Sequence, residues 1–173
     1  MKAIISLLKD VAIAVVIALL ILAVINPIVV KESSMLPNFY DGDYLLLNKQ
    51  AYTIFGEVER GDVVVFHTEL KDEREEDKHL IKRIIGLPGE VVEVKDGYVY
   101  INDRLLDEPY LEQQGLSGDM EPVVVPQGHY FVMGDNRPVS LDSRSERVGC
   151  IDGEEIMGKV FIRLYPFSGI QLY

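Results

Sequence analysis

The sequence predicts a mostly β protein carried behind one apolar N-terminal helix. Three observations carry that prediction. Residues 11 to 25 read VAIAVVIALLILAVI without a charge, and they show no polar face. From residue 31 on, short β-branched runs recur between turn residues and no long stretch keeps a helical period. Finally, the charge is unevenly placed. The 173 residues are 48% hydrophobic with 28 acidic and 17 basic side chains, a net of −11, yet residues 1 to 30 hold only Lys2, Lys9 and Asp10. That first part carries +1, so residues 31 to 173 carry −12.

The apolar run comes first in the chain. A membrane helix needs about 20 residues to cross the hydrocarbon, and residues 11 to 30 supply that length, with Asn26 and Pro27 near the end where a proline bends or stops a helix. A cleaved signal peptide would need small residues at A-x-A spacing after the run, and Ala23-Val24-Ile25 is only a near approach. A buried core helix would show a polar face. The expectation is therefore a retained anchor in residues 1–30, with the lipid bilayer as partner of residues 11–30. Lys2, Lys9 and the amino terminus precede it, which places the N-terminus in the cytoplasm and residues 31–173 outside.

The strands follow in order: YLLLN at 44–48, DVVVFH at 62–67, HLIKRIIG at 79–86, EVVEV at 90–94, YVYI at 98–101, PVVV at 122–125, HYFVM at 129–133 and KVFIRLY at 159–165. Asp96-Gly97 tolerates the positive φ of a type I′ turn and makes 90–102 the firmest hairpin. Residues 69–79, ELKDEREEDKH, read as a solvated loop within a long hairpin. Residues 103–121 show no clear period and receive no element.

Composition removes several function classes. An acidic exterior argues against nucleic acid as partner, since phosphate binding needs a basic surface. The single Cys150 excludes an internal disulfide framework and a zinc site of several thiolates, and it reads as a small packing residue. No HExxH, glycine-rich P-loop, G-x-G-x-x-G or G-x-S-x-G occurs. His67, His79 and His129 have no metal spacing and read as structural or surface residues. No metal or organic cofactor is expected.

Three features resist a bland reading. Ser34 lies four residues beyond the apolar run, where a serine is by default a linker residue. Lys82 and Arg83 are adjacent cations in an apolar strand, and alternation turns one of them inward. An inward lysine is costly unless neutral; burial lowers its pKa by about 3 to 5, which makes a general base. Residues 134–144, GDNRPVSLDSR, form either a polar turn tied by its own Asp and Arg side chains or part of a site, and spacing alone does not choose.

Taken together, SMLP at 34–37, RGDVVVF at 60–66, KRIIGLPGE at 82–90 and GDNRPVSLDSR at 134–144 resemble, in order, the motif boxes of bacterial type I signal peptidases. The resemblance implies an antiparallel β-sheet catalytic domain of the signal-peptidase type over 31–173, with 91–126 as a small β subdomain, anchored as a single-pass protein of the bacterial cytoplasmic membrane. It implies a serine endopeptidase that removes signal peptides from exported preproteins after small residues at −3 and −1, through an acyl-enzyme. Ser34 falls on the nucleophile and Lys82 on the general base. Ser140 falls on the serine that orients the lysine, Asp142 and Arg144 on the polar pair that supports the site, and Asp135 and Arg137 on structural positions. Ser33, Ser34, Met35 and Ile81 fall in the substrate and oxyanion region. Two departures stand out: Asn38, where the family usually has Thr, and Glu32, where relatives have Ser or Gly. An ionised Glu32 would repel a developing oxyanion.

Two other readings are weighed against this one. A self-cleaving repressor of the DNA-damage response uses the same dyad, but it lacks an anchor. A membrane-tethered binding or assembly protein of the same fold, with impaired catalysis, would account for Glu32.

Overall fold

The computed structural model describes residues 2–52, 56–71, 75 and 77–173. Helix α1, Lys2–Val24, runs into strand β1, Ile25–Val29. The apolar span is Ile5–Val24, 20 residues, and none of it is buried against the protein. This corrects the expected boundary, because residues 25–29 leave the helix and join the sheet. The cause is local. Pro27 has no N–H to give a helix and biases Asn26 toward extended backbone. Ile25, Ile28 and Val29 then favour a strand, and β1 sits at a sheet edge, where a proline costs no ladder bond. β1 pairs antiparallel with β2, Tyr44–Asn48, from Ile25 opposite Asn48 to Val29 opposite Tyr44.

The main sheet adds β3, Val63–Lys71; β4, Asp77–Gly86; β9, His129–Met133; β10, Ile151–Asp152; and β11, Ile156–Tyr165. Its order is β1-β2-β11-β3-β4-β9-β10, with β12, Gln171–Leu172, beside β11. A second, four-stranded sheet lies within residues 91–124: β5, Val91–Lys95; β6, Tyr98–Ile101; β7, Arg104–Leu105; and β8, Met120–Val124, in the order β7-β6-β5-β8. Asp96 at φ 51 and Gly97 at φ 79 turn the β5–β6 hairpin as expected. A Cβ at Gly97 would stand 2.1 Å from the Gly115 carbonyl, which restricts the site to glycine.

The central strands are covered on both faces, so they read as continuous apolar runs rather than alternating ones. Val63, Val65 and Ile81 pack with Val30, Met35, Phe39, Leu45, Leu47 and Val160. Val64, Phe66, Leu80 and Ile84 pack with Val132 and Ile151. A third cluster, with Val92, Val94, Val99 and Phe131, joins the small sheet to β4 and β9. The charged segment 69–79 is the tip of the β3–β4 hairpin, longer in its strands than the sequence suggested, and residues 72–74 and 76 of it lie outside the described residues.

Candidate active site

The site forms where three segments meet: the turn after β1, the middle of β4, and the loop after β9. Val30 and Met35, both almost wholly buried, pin the ends of the turn 30–35 into the core, while Ser33 is exposed and Ser34 half-buried between them. From the other side, the Asn136 N–H donates to the Ser34 carbonyl at 3.0 Å, and its Nδ2 donates to the Ser33 carbonyl at 3.0 Å. The Ser34 N–H donates to no group among the described residues.

Lys82 reaches this turn from β4. Its Nζ donates to Ser34 Oγ at 2.7 Å and to the Ile81 carbonyl at 2.8 Å. The side chain is 1% exposed, and no carboxylate among the described residues bonds it. Burial pulls its pKa down to about 8, and Lys78 adds to the fall, while Asp142, Glu32 and Asp135 act in the opposite direction.

Lys82 and its neighbour Arg83 are both buried, where alternation suggested that one would be. Arg83 is 7% exposed and grips Asp135 with two bonds, Nε to Oδ1 at 2.9 Å and Nη2 to Oδ2 at 2.6 Å. It also donates to the Gly61 carbonyl and lies 4.1 Å over the Tyr110 ring. Asn38 joins here, its Nδ2 donating to Asp135 Oδ2 and to the Tyr110 carbonyl, both at 2.8 Å. The departure at position 38 thus holds the turn that carries Ser34 against the loop after β9.

That loop is a lattice of charge pairs. Arg144 bonds both oxygens of Asp142 at 2.8 Å, and Asp142 Oδ2 accepts the Gly134 N–H at 2.9 Å. Arg137 pairs with the buried Glu108 and donates to Ser117 Oγ and to the Gly134 carbonyl. Two of these bonds hold Gly134 directly, its N–H on Asp142 and its carbonyl under Arg137, where the backbone passes close to Ser34. A Cβ there would meet Ser140 Oγ at 2.2 Å and the Ser34 carbonyl at 2.5 Å. Ser140 Oγ is buried with no hydrogen-bond partner among the described residues, so it does not touch the Lys82 amine in this structure.

Three residues that matter escaped the sequence reading. Asn136 lay inside the 134–144 segment without an assigned role. Gly134 carries no side chain to notice. Glu108 lies in the stretch that received no element, and beside Asp107 nothing in the sequence marks it. Ile81 and Met35 are buried around the turn as core residues. Glu32 stands at φ 71 with its N–H donating to Asp41 Oδ1 at 3.1 Å and its carboxylate paired with Lys78. Among the described residues no group of three or more His, Cys, Asp or Glu is arranged to hold a metal.

A family profile described as "Signal peptidase, peptidase S26" matches residues 4–165. The chain belongs to the signal peptidase family. It is 42% identical over 173 residues to Signal peptidase I of Bacillus licheniformis, covering 94% of this chain and 89% of that relative. It is 38% identical over 162 residues to Signal peptidase IB of Staphylococcus aureus strain COL, covering 84% of this chain and 80% of the relative. Among solved structures, a signal peptidase I from Enterococcus faecalis V583 superposes with a TM-score of 0.50 at 33% identity, over 60% of this chain and 96% of that one. Membership in this signal peptidase family makes the chain a serine endopeptidase, and α1 fits the membrane anchor of such an enzyme.

Proposed function

We propose that the chain cleaves N-terminal signal peptides from exported preproteins with Ser34 as nucleophile and Lys82 as general base. The observation that carries this reading is the 2.7 Å contact between Lys82 Nζ and Ser34 Oγ, made by a lysine that no carboxylate bonds. A lysine with its pKa near 8 is neutral in a useful fraction at neutral pH. Its lone pair takes the Ser34 proton as Oγ bonds the scissile carbonyl carbon. The resulting oxyanion is met by the free Ser34 N–H. As the C–N bond breaks, the Lys82 ammonium gives its proton to the departing amine of the mature chain. The signal peptide is left as an ester on Ser34. Lys82 then takes a proton from water, whose oxygen attacks the ester, and the acid leaves as Ser34 regains its proton.

Ser140 serves the lysine in this scheme. Among the described residues the amine bonds Ser34 and Ile81, which leaves one N–H over, and Ser140 Oγ is a buried hydroxyl of the same site with no partner among them. A χ1 rotation of Ser140 in the substrate complex would join the two. Asp142 and Arg144 hold Gly134 and the loop that carries Ser140. Ser33, Met35 and Ile81 frame the extended substrate, with small residues at −3 and −1 of the signal peptide accepted beside the turn.

The anchor places the scissile bond at the membrane. Only residues 25–33 separate α1 from Ser34, and Tyr44 and Tyr165 on the adjoining strands, with Phe167 in the short helical turn after β11, are exposed, as aromatic residues are at a bilayer interface. Lys2 and Lys9 put the N-terminus in the cytoplasm and the catalytic domain outside. The reading of an impaired binding protein rested on Glu32 facing the oxyanion; here its carboxylate pairs with Lys78 instead.

The test is cleavage of a purified preprotein by the detergent-solubilised chain, with Ser34→Ala and Lys82→Ala beside it, and mass analysis of both products. Wild type cuts after a small residue and both variants are inert. Cleavage surviving in either variant removes the dyad, and an inert wild type leaves the binding reading.

A further inference from the structure

Glu32 is two residues before Ser34, in a left-handed backbone conformation that a residue with a side chain seldom takes, at φ 71. Two contacts hold it there. Its N–H donates to Asp41 Oδ1, and its carboxylate pairs with Lys78 at the start of β4, across 46 residues of sequence. Lys78 is itself fixed, since Thr68 Oγ1 of the paired strand donates to its carbonyl at 2.7 Å. It stands on the strand that carries Lys82 four residues further on, and the charges of both Glu32 and Lys78 are felt at the Lys82 amine with opposite sign. The other charged groups acting there are Asp142, pinned by Arg144, and Asp135, pinned by Arg83. Glu32 is the remaining carboxylate in that set, and Lys78 is its ion-pair partner among the described residues.

A free carboxylate at this place opposes catalysis twice. It repels the oxyanion forming on the acyl carbon beside the Ser34 N–H, and it keeps the Lys82 amine protonated. We propose that Lys78 is a positioning residue that holds the Glu32 carboxylate at the edge of β4, away from the reacting carbonyl and with its charge balanced, so that the enzyme works with an acid two residues before its nucleophile. This inference rests on the dyad reading of Ser34 and Lys82.

The experiment is a double-mutant cycle on the full chain in detergent, with a preprotein as substrate and kcat and KM taken from pH 6 to 10. The variants are Lys78→Met, Lys78→Arg, Glu32→Gly and the Glu32→Gly/Lys78→Met pair, each checked for folding by its thermal midpoint. Lys78→Met lowers kcat about fivefold with KM held within about twofold, the size expected from releasing one partly exposed charge, and moves the rising pH limb up by about half a pH unit. Lys78→Arg restores both. In the Glu32→Gly background, Lys78→Met leaves kcat on the pH plateau unchanged, and the limb moves only by the loss of Lys78's own charge at the Lys82 amine. An equal loss in both backgrounds, or none in either, overturns the proposal, because Lys78 would then be a structural residue or an idle one. A wild type that cleaves nothing removes the dyad reading instead, and this inference with it.

Discussion

Lys82 and Arg83 are neighbours on β4, nearly equal in burial, and they meet opposite surroundings. Arg83 finds a carboxylate aligned for two bonds, a carbonyl and an aromatic face. Burial disfavours its charge, but the bonds and charge of Asp135 outweigh it and its pKa is raised. Lys82 finds a hydroxyl and a carbonyl, both neutral, and burial prevails. A cation paired in the core is a fastener. One left with neutral partners gives up its proton more readily than a free lysine does, which is the property the proposed general base needs.

The largest effect that sharpens this contrast is Lys82→Met. Cleavage falls on the order of 10⁴-fold or more, as when one member of a catalytic unit is lost. Stability should move the other way. The folded-state pKa of about 8 lies below the ordinary 10.5, so between those values the unfolded chain binds the proton more often and wild-type stability climbs with pH. Below about pH 8 the lysine costs about 3 kcal/mol in full. Chemical unfolding at pH 7 and pH 10 should show Lys82→Met more stable than wild type at pH 7, with the gain shrinking at pH 10. The wild-type kcat/KM should rise through a limb near pH 8; a limb near the ordinary lysine value would break the comparison.

Next comes the fastener. Asp135→Ala leaves Arg83 buried and unpaired, and it should cost about 3 to 5 kcal/mol in denaturant unfolding. Replacing both partners, as Arg83→Met/Asp135→Leu, should recover most of that loss, since an apolar pair of similar volume needs no charge balance. If the double variant is as unstable as the single one, the pair does more than satisfy itself.

Gly134→Ala probes the seam between the two environments. Its methyl group would displace the Ser34 carbonyl and Ser140 together, and kcat should drop about 10²-fold as the nucleophile shifts. Thermal unfolding should report a loss of about 1 to 3 kcal/mol from overpacking.

Ser140→Ala is the smallest change. Removing an unpartnered buried hydroxyl should raise stability by about 1 kcal/mol while kcat falls roughly tenfold, because the hydroxyl serves only the substrate complex. A variant that loses stability would place Ser140 among the fasteners.

Much of this was legible along the chain. YLLLN, YVYI and HYFVM became strands with the bounds read from their β-branched and aromatic runs, because those runs lie between turn residues that allow little else. Ser34 and Lys82, the pair proposed for the chemistry, stand out in the sequence because each is out of place locally: a serine just past an apolar span, a lysine within an apolar strand. The α1 boundary was misjudged because hydropathy does not distinguish a lipid-facing turn from an edge strand, and the pairing of β1 with β2 is decided 15 to 23 residues away. Glu108 and Asn136 could not be assigned because their partners, Arg137 and the Ser34 carbonyl, are distant in sequence.

The sequence by itself determined the apolar N-terminal helix and the β class, since these depend on composition and on periods of a few residues. Only the tertiary structure decided that Lys82 would lie in the core beside Ser34 with no carboxylate bound to it, while Arg83 received Asp135. Burial and the sign of the nearest charge are properties of the packed chain, and they are what set the state of a proton.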